Sequence, residues 1–269
     1  MSLVILFAVL GAVSSALPYI FVPNLSPLWL LLFLPAGFLI WNILFLLVLL
    51  ISTIFLPGGA KGEANLPWCR RRIRHVLRWL FALFRVSFSV KGYEKVPKEP
   101  CVFIANHRSD FDPMIMLAAI SDRPLCYISK ESNFHIPIAG PYIRHAGFLS
   151  LDRTHPLRAA RTIKEGARLV REEGMTVGIY PEGTRAKTSE LLPFKEGAFI
   201  MAKKAEAPIV LLVTPNTEKI SKGFPFRPRV RVNIEFIEVI PREKVAEMPA
   251  SELANYCRER IAAHLNGEA

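Results

Sequence analysis

Hydrophobic and polar positions divide the chain into two textures. Residues 1 to 60 contain no Asp, Glu, Lys or Arg, and the first charged side chain is Lys61. Within that block, "SLVILFAVLGAVSSALPYIFV" (2–22) and "LWLLLFLPAGFLIWNILFLLVLLISTIFL" (28–56) each reach the length of about 20 residues that lets a helix cross a hydrocarbon core. The link "PNLSP" breaks helix, so the two stretches predict a hairpin with both ends on one side. A cleaved signal peptide fits poorly, because no basic residue precedes the first run and a second apolar run follows at once. Pro35, Gly37 and Asn42 interrupt the second stretch, which leaves open a hairpin confined to one leaflet.

Beyond Gly92 strand-like and helix-like blocks alternate. "CVFIAN" (101–106), "LCYIS" (125–129), "MTVGIY" (175–180) and "PIVLLVT" (208–214) read as strands. "MIMLAAIS", "LRAARTIKEGARLVREE" (157–173) and "EGAFIMAKKA" read as helices, the second with Ala160, Ile163, Ala167 and Val170 on one stripe and Gly174 ending it. "RVRVNIEFIEVI" (229–240) alternates like a more exposed edge strand. "SELANYCRERIAAHL" predicts a helix capped by Ser251 with Leu253, Cys257, Ile261 and Leu265 inward. The alternation predicts an α/β fold with a largely parallel central sheet flanked by helices, preceded by the hairpin. The expected organisation is a membrane hairpin (1–60), a basic amphipathic interfacial segment (61–91) and one α/β domain (92–269).

Charge sharpens the membrane reading. Residues 61 to 100 carry ten basic and three acidic side chains, a net +7 of the chain's +11. Such a cluster beside an apolar segment marks the cytoplasmic side of a cell membrane and attracts anionic membrane lipids. In "RRRIRHVLRWLFALF" the arginines alternate with Trp79, Leu80, Phe81 and Phe84, which suits a lipid interface and argues against nucleic acid as a partner. Cys69, Cys101, Cys126 and Cys257 are scattered, without the spacing of a metal site or a disulfide framework.

Candidate chemistry lies where strands should end, since open α/β sheets meet ligands beyond the carboxyl ends of their strands. In "NHRSDFDP" (106–113), His107 just outside a helix and Asp112 in its first turn can meet, so that the carboxylate fixes the imidazole tautomer and frees the other nitrogen as a base. Ser109 capping the helix with Asp112 three residues on is the plain alternative. In "YPEGTRAK" (180–187), Glu182 and Arg185 offer charge to a ligand or simply pair across a turn. In "GFLSLDR" (147–153), Arg153 offers a fork to phosphate or forms a solvated salt bridge.

In combination these blocks resemble the 1-acyl-sn-glycerol-3-phosphate acyltransferase family of glycerolipid acyltransferases. "NHRSDFD" resembles its histidine, four residues, aspartate signature, "GFLSLDR" its second block, "YPEGTR" its third and "APIVLLV" (207–213) its fourth, all in order over roughly residues 92 to 215. Tyr180 stands where the third block commonly opens with Phe, and Ser150 where the second often carries a bulkier apolar residue. The resemblance implies transfer of a fatty acyl group from an acyl thioester, borne by coenzyme A or acyl carrier protein, to the sn-2 hydroxyl of lysophosphatidic acid. His107 then looks like the general base and Asp112 its orienting partner. Arg153 resembles a phosphate contact, Glu182, Gly183, Thr184 and Arg185 an acceptor-binding loop, and Asn106 and Lys130 further substrate-binding positions. No metal or cofactor is implied. Glycerol-3-phosphate or another lysophospholipid as acceptor, and a non-catalytic membrane lipid-binding protein, are the rival readings.

Overall fold

The computed structural model describes residues 3–22, 24–56, 66–185, 190–220, 222 and 228–267. Helices α1 (Leu3–Phe21) and α2 (Leu30–Ser52) fold back on each other as the apolar pattern predicts. Their contact is backbone-close at Gly11 and Gly37, where a Cβ on either would lie 2.7 Å from a backbone atom of the other helix. Most of their remaining large side chains are exposed, among them Ile5, Val9, Val13, Leu31, Leu39, Leu47 and Ile54. Both helices are long and apolar enough to cross a membrane by length and composition.

The basic stretch forms α3 (Pro67–Leu83), and this helix is built into the domain rather than lying beside it. Cys69, Leu77, Trp79 and Phe81 are buried, and full burial of a side chain such as Phe81 contributes about 1.5–3 kcal/mol. On the other flank Trp79 donates its indole N–H to Asn42 Oδ1 at 3.0 Å, while the Tyr142 hydroxyl lies 2.6 Å from Ser52 Oγ and accepts from Arg72 Nη1 at 3.0 Å. These bonds lay α2 antiparallel along α3. The expected junction at residues 60 and 61 lies outside the described residues.

After α3 come β1 (Val86–Lys91), β2 (Val102–Ala105), α4 (Phe111–Ala119), β3 (Leu125–Lys130), α5 (Ala139–His145), β4 (Leu149–Leu151), α6 (Pro156–Glu173), β5 (Thr176–Ile179), α7 (Gly197–Ala205), β6 (Ile209–Val213), β7 (Val230–Ile240), α8 (Arg242–Glu247) and α9 (Ala250–Asn266). Among the described residues one seven-stranded sheet has the order β1-β7-β6-β2-β5-β3-β4. The five strands from β2 to β6 run parallel; β7 is antiparallel to β6, and β1 is parallel to β7. Every residue of β2, β5 and β6 is buried, as expected for strands covered on both faces.

Four expectations need correction. Residues 229–240 do not form an edge strand, because β1 pairs along β7 from Val86 to Lys91 and takes the outer place. The same pairing carries the sheet back to Val86, ahead of the expected boundary at residue 92; the alternation in "VSFSVK" was masked by its basic neighbours. Ser251 is not a cap, since α9 starts at Ala250 behind Pro249, and Ala160 is exposed while Gly166 takes its place on the inward stripe of α6.

Candidate active site

Because β2 to β6 are parallel, the loops leaving their carboxyl ends share one rim. His107 follows β2, the Pro181–Arg185 turn follows β5, Lys130 ends β3, Arg153 follows β4, and Thr214 to Thr217 follow β6.

Asp112 is the hub of this rim and is fully buried. Its Oδ2 accepts from His107 Nδ1 at 2.8 Å, from Arg108 N at 2.8 Å and from Ser109 N at 2.9 Å, and its Oδ1 accepts from the Thr217 hydroxyl. An oxygen already accepting two backbone N–H groups is an acceptor toward the ring as well, so Nδ1 carries a proton, and in the neutral imidazole the free lone pair is on Nε2. Ser109 Oγ meanwhile accepts from Phe111 N at 3.2 Å. One carboxylate thus ties the imidazole to the start of α4, whose N-cap is Asp110 and not the expected Ser109.

The imidazole is also held by its faces. Its ring stacks on Tyr180 with centroids 4.4 Å apart and 21° between planes, and Tyr180 stacks on Tyr127 at 5.5 Å and 8°. Tyr127 stands opposite Gly178 on the neighbouring strand, and a Cβ on Gly178 would run into its ring. Two tyrosine rings, one behind the other, thus brace His107, whose side chain is 16% exposed.

The third block meets the first directly. Glu182 is 3% exposed, and its carboxylate accepts from His107 N at 2.7 Å and from Leu192 N at 3.2 Å. Burial raises the Glu182 carboxyl above its ordinary range, opposed in part by those two N–H groups. Glu182 and Arg185 do not pair: Arg185 reaches Asp110 at 2.7 Å, both exposed. Gly183 adopts φ +69° in a turn closed by its N–H on Tyr180 O at 3.1 Å, and Thr184 is exposed. Ala186 and Lys187 lie outside the described residues.

The remaining expected residues spread along the rim. Lys130 is exposed two strands from β2, ~10 Å away at a strand spacing of about 4.8 Å, and exposed Arg153 follows the strand beyond it. Arg153 does not pair with Asp152, whose carboxylate takes Thr154 N at 2.9 Å and Arg158 Nη1 at 3.3 Å. Asn106 is 1% exposed and accepts from Thr214 N at 3.4 Å, which ties β2 to β6. Sequence reasoning missed Thr217 and Tyr127; Thr217 sits four residues past a fourth block that reads as a plain buried strand, and nothing local marks it. Among the described residues no three His, Cys, Asp or Glu side chains gather as metal ligands would.

The acyltransferase family model matches residues 87–214, which take in β1 through β6 and every loop just described except Thr217. Residues 87–214 are an acyltransferase-family domain. It is 31% identical over 190 residues to the 1-acyl-sn-glycerol-3-phosphate acyltransferase of Saccharomyces cerevisiae, covering 70% of this chain and 61% of that one. It is 32% identical over 161 residues to the protein of the same name from Salmonella typhimurium, covering 58% of this chain and 63% of that one. The chain spans a little over three fifths of the length of these curated relatives. In fold it is similar to the 1-acyl-sn-glycerophosphate (LPA) acyltransferase PlsC of Thermotoga maritima, with a TM-score of 0.64 at 23% identity over 82% of this chain and 86% of that one. The mostly parallel sheet flanked by helices is the fold that this likeness shows.

Proposed function

We propose that this chain moves a fatty acyl group from an acyl thioester to the sn-2 hydroxyl of lysophosphatidic acid, forming phosphatidic acid at a membrane surface. The observation that carries the reading is the His107 and Asp112 pair, with Nδ1 tied to a buried carboxylate and Nε2 left as a base on the rim. Nε2 takes the proton of the acceptor hydroxyl as its oxygen bonds to the thioester carbonyl carbon. The tetrahedral oxyanion collapses, the carbon–sulfur bond breaks, and the thiolate recovers the proton from the imidazolium. Asp112 stabilises that imidazolium, and Tyr180 and Tyr127 keep its plane fixed. Exposed Arg153, with Lys130 between it and His107, supplies the cations for the acceptor phosphate. The relatives' printed names support lysophosphatidic acid over glycerol-3-phosphate as acceptor.

The hairpin supports work at lipid from one side. Asn42 is tied to Trp79, so the free part of the second hairpin arm runs from residue 27 to residue 41, fifteen residues and ~22 Å as helix against a core of roughly 30 Å. Its exposed apolar flank enters one leaflet of the membrane, with the catalytic rim on the cytoplasmic side.

The purified chain in detergent or vesicles tests the reaction. Free thiol should appear when acyl thioester and lysophosphatidic acid are both present. Thiol release indifferent to the acceptor, or preference for unacylated glycerol-3-phosphate, overturns the reading.

A further inference from the structure

Away from the catalytic rim, the start of α3 and the turn from α4 to β3 enclose a cleft of about 270 Å³, lined by Arg70, Arg71, Arg74, Ser121, Asp122 and Arg123. Arg70, Arg71 and Arg74 share one side of α3 by their spacing of three and four. Arg123 is committed to the fold, donating to Tyr93 OH at 2.9 Å and Pro97 O at 2.8 Å. Arg74 differs: its Nε is buried and has no hydrogen-bond partner among the described residues. Burial lowers the pKa of its guanidinium, and Arg78 and Arg70 push the same way against Asp122. Asp122 itself accepts from the Tyr93 hydroxyl at 2.5 Å. Arg71 and Arg74, with a donor of Arg74 buried and unmet among the described residues, make a seat for phosphate oxygens at the mouth of this cleft.

Position decides whose phosphate. Helix α4 starts just past the His107 loop and ends just short of this cleft, and is itself nine residues or about 14 Å long. Arg78, one turn on from Arg74, donates to Ala118 O at 2.9 Å and continues the basic line along the seam between α3 and α4. The phosphate of lysophosphatidic acid lies two carbons from the reacting hydroxyl and cannot reach so far. A pantetheine arm is of the scale of α4: sulfur to phosphate it equals a little over four extended residues, ~15 Å. Membrane lipid is remote too, because α2 runs antiparallel to α3 and carries the hairpin tip toward the opposite end of α3.

We infer that this cleft seats the phosphates of a coenzyme A thioester, with the pantetheine arm along the α3–α4 seam and the thioester at His107. The inference rests on the acyl-transfer reading and names its donor.

The test uses full-length chain in detergent with Arg71→Gln, Arg74→Gln and the double variant; exposed Arg71 can be changed without risk to the core. The double variant should raise KM for acyl-coenzyme A about tenfold or more, as expected for lost charge-assisted bonds. Its kcat and its KM for lysophosphatidic acid should stay within about twofold of the parent values, a margin well under the ~1.4 kcal/mol of a tenfold change. Adenosine 3′,5′-bisphosphate should bind the parent chain by calorimetry and fail to bind the double variant. Unchanged KM for acyl-coenzyme A, or equal bisphosphate binding by both chains, overturns the inference. So does turnover with acyl carrier protein alone, or loss of binding to anionic vesicles with donor KM unmoved. If no thioester supports transfer, the acyl-transfer reading fails, while bisphosphate binding still judges the cleft.

Discussion

The hydroxyl of Thr217 and the carboxylate of Asp112 meet in a buried hydrogen bond across 105 residues of sequence. Both side chains are 0% exposed, so the bond has no water to replace it. The turn after β6 thereby reaches the base of the His107 loop through one oxygen.

Thr217→Val should therefore lower kcat/KM about tenfold, since an orphaned buried acceptor costs about 1–3 kcal/mol. Thr217→Ser should restore most of it. Steady-state kinetics across pH, beside a melting curve, will separate positioning from simple loss of fold: a positioning role moves the acidic limb of the rate profile, and a purely structural one leaves its shape alone.

His107→Ala should abolish transfer in a chain that still melts cooperatively, because it deletes the base and leaves the helix cap intact. Asp112→Asn should be as severe in rate, on the order of 10³- to 10⁴-fold by analogy with other histidine and aspartate pairs. It should also be the less stable of the two, because Asp112 accepts two backbone N–H bonds as well as the ring. Near-parent turnover by folded His107→Ala would leave helix capping as the motif's whole purpose.

Glu182 carries a prediction about pH. Its folded pKa is raised by burial, so the folded state holds this proton more tightly than the unfolded chain. Stability from the protonated carboxyl is then present below the unfolded pKa and declines as pH rises through the folded one. Glu182→Gln should remove that slope and lower the melting temperature at every pH by leaving one of two N–H groups without its acceptor. Equal slopes for both chains between pH 4 and pH 7 would count against it.

The hairpin tip can be located with thiol reagents. All four native cysteines are buried, so a cysteine at Asn24 should report alone. In sealed vesicles with the catalytic rim inside, a membrane-impermeant maleimide added outside should fail to modify Asn24→Cys. Outside labelling equal to that after detergent would establish a full crossing.

Much of this was legible in the chain because it is local. Alternating apolar runs announce β2, β3, β5 and β6, and the spacing of His107 and Asp112 announces a meeting at a helix start. What escaped depends on tertiary contact. Glu182 and Arg185 read as a pair by their spacing, yet folding gives Glu182 to the His107 backbone and Arg185 to Asp110. Strand β1 hid because arginines dominate the window before it, and its partner is 144 residues away. Thr217 hid because a threonine in a turn has no pattern of its own.

The bond from Trp79 to Asn42 makes the two apolar helices more than a tether. A tether lets its cargo tumble; a strut fixes attitude. With α2 fastened to α3 in its middle and to Tyr142 near its end, the proposed seating of the hairpin in lipid would set the height and tilt of His107 when the chain folds. Exchanging residues 1–56 for an unrelated membrane anchor should keep the protein on the vesicle and misalign it, much as a plane blade set at the wrong depth still touches the wood without cutting.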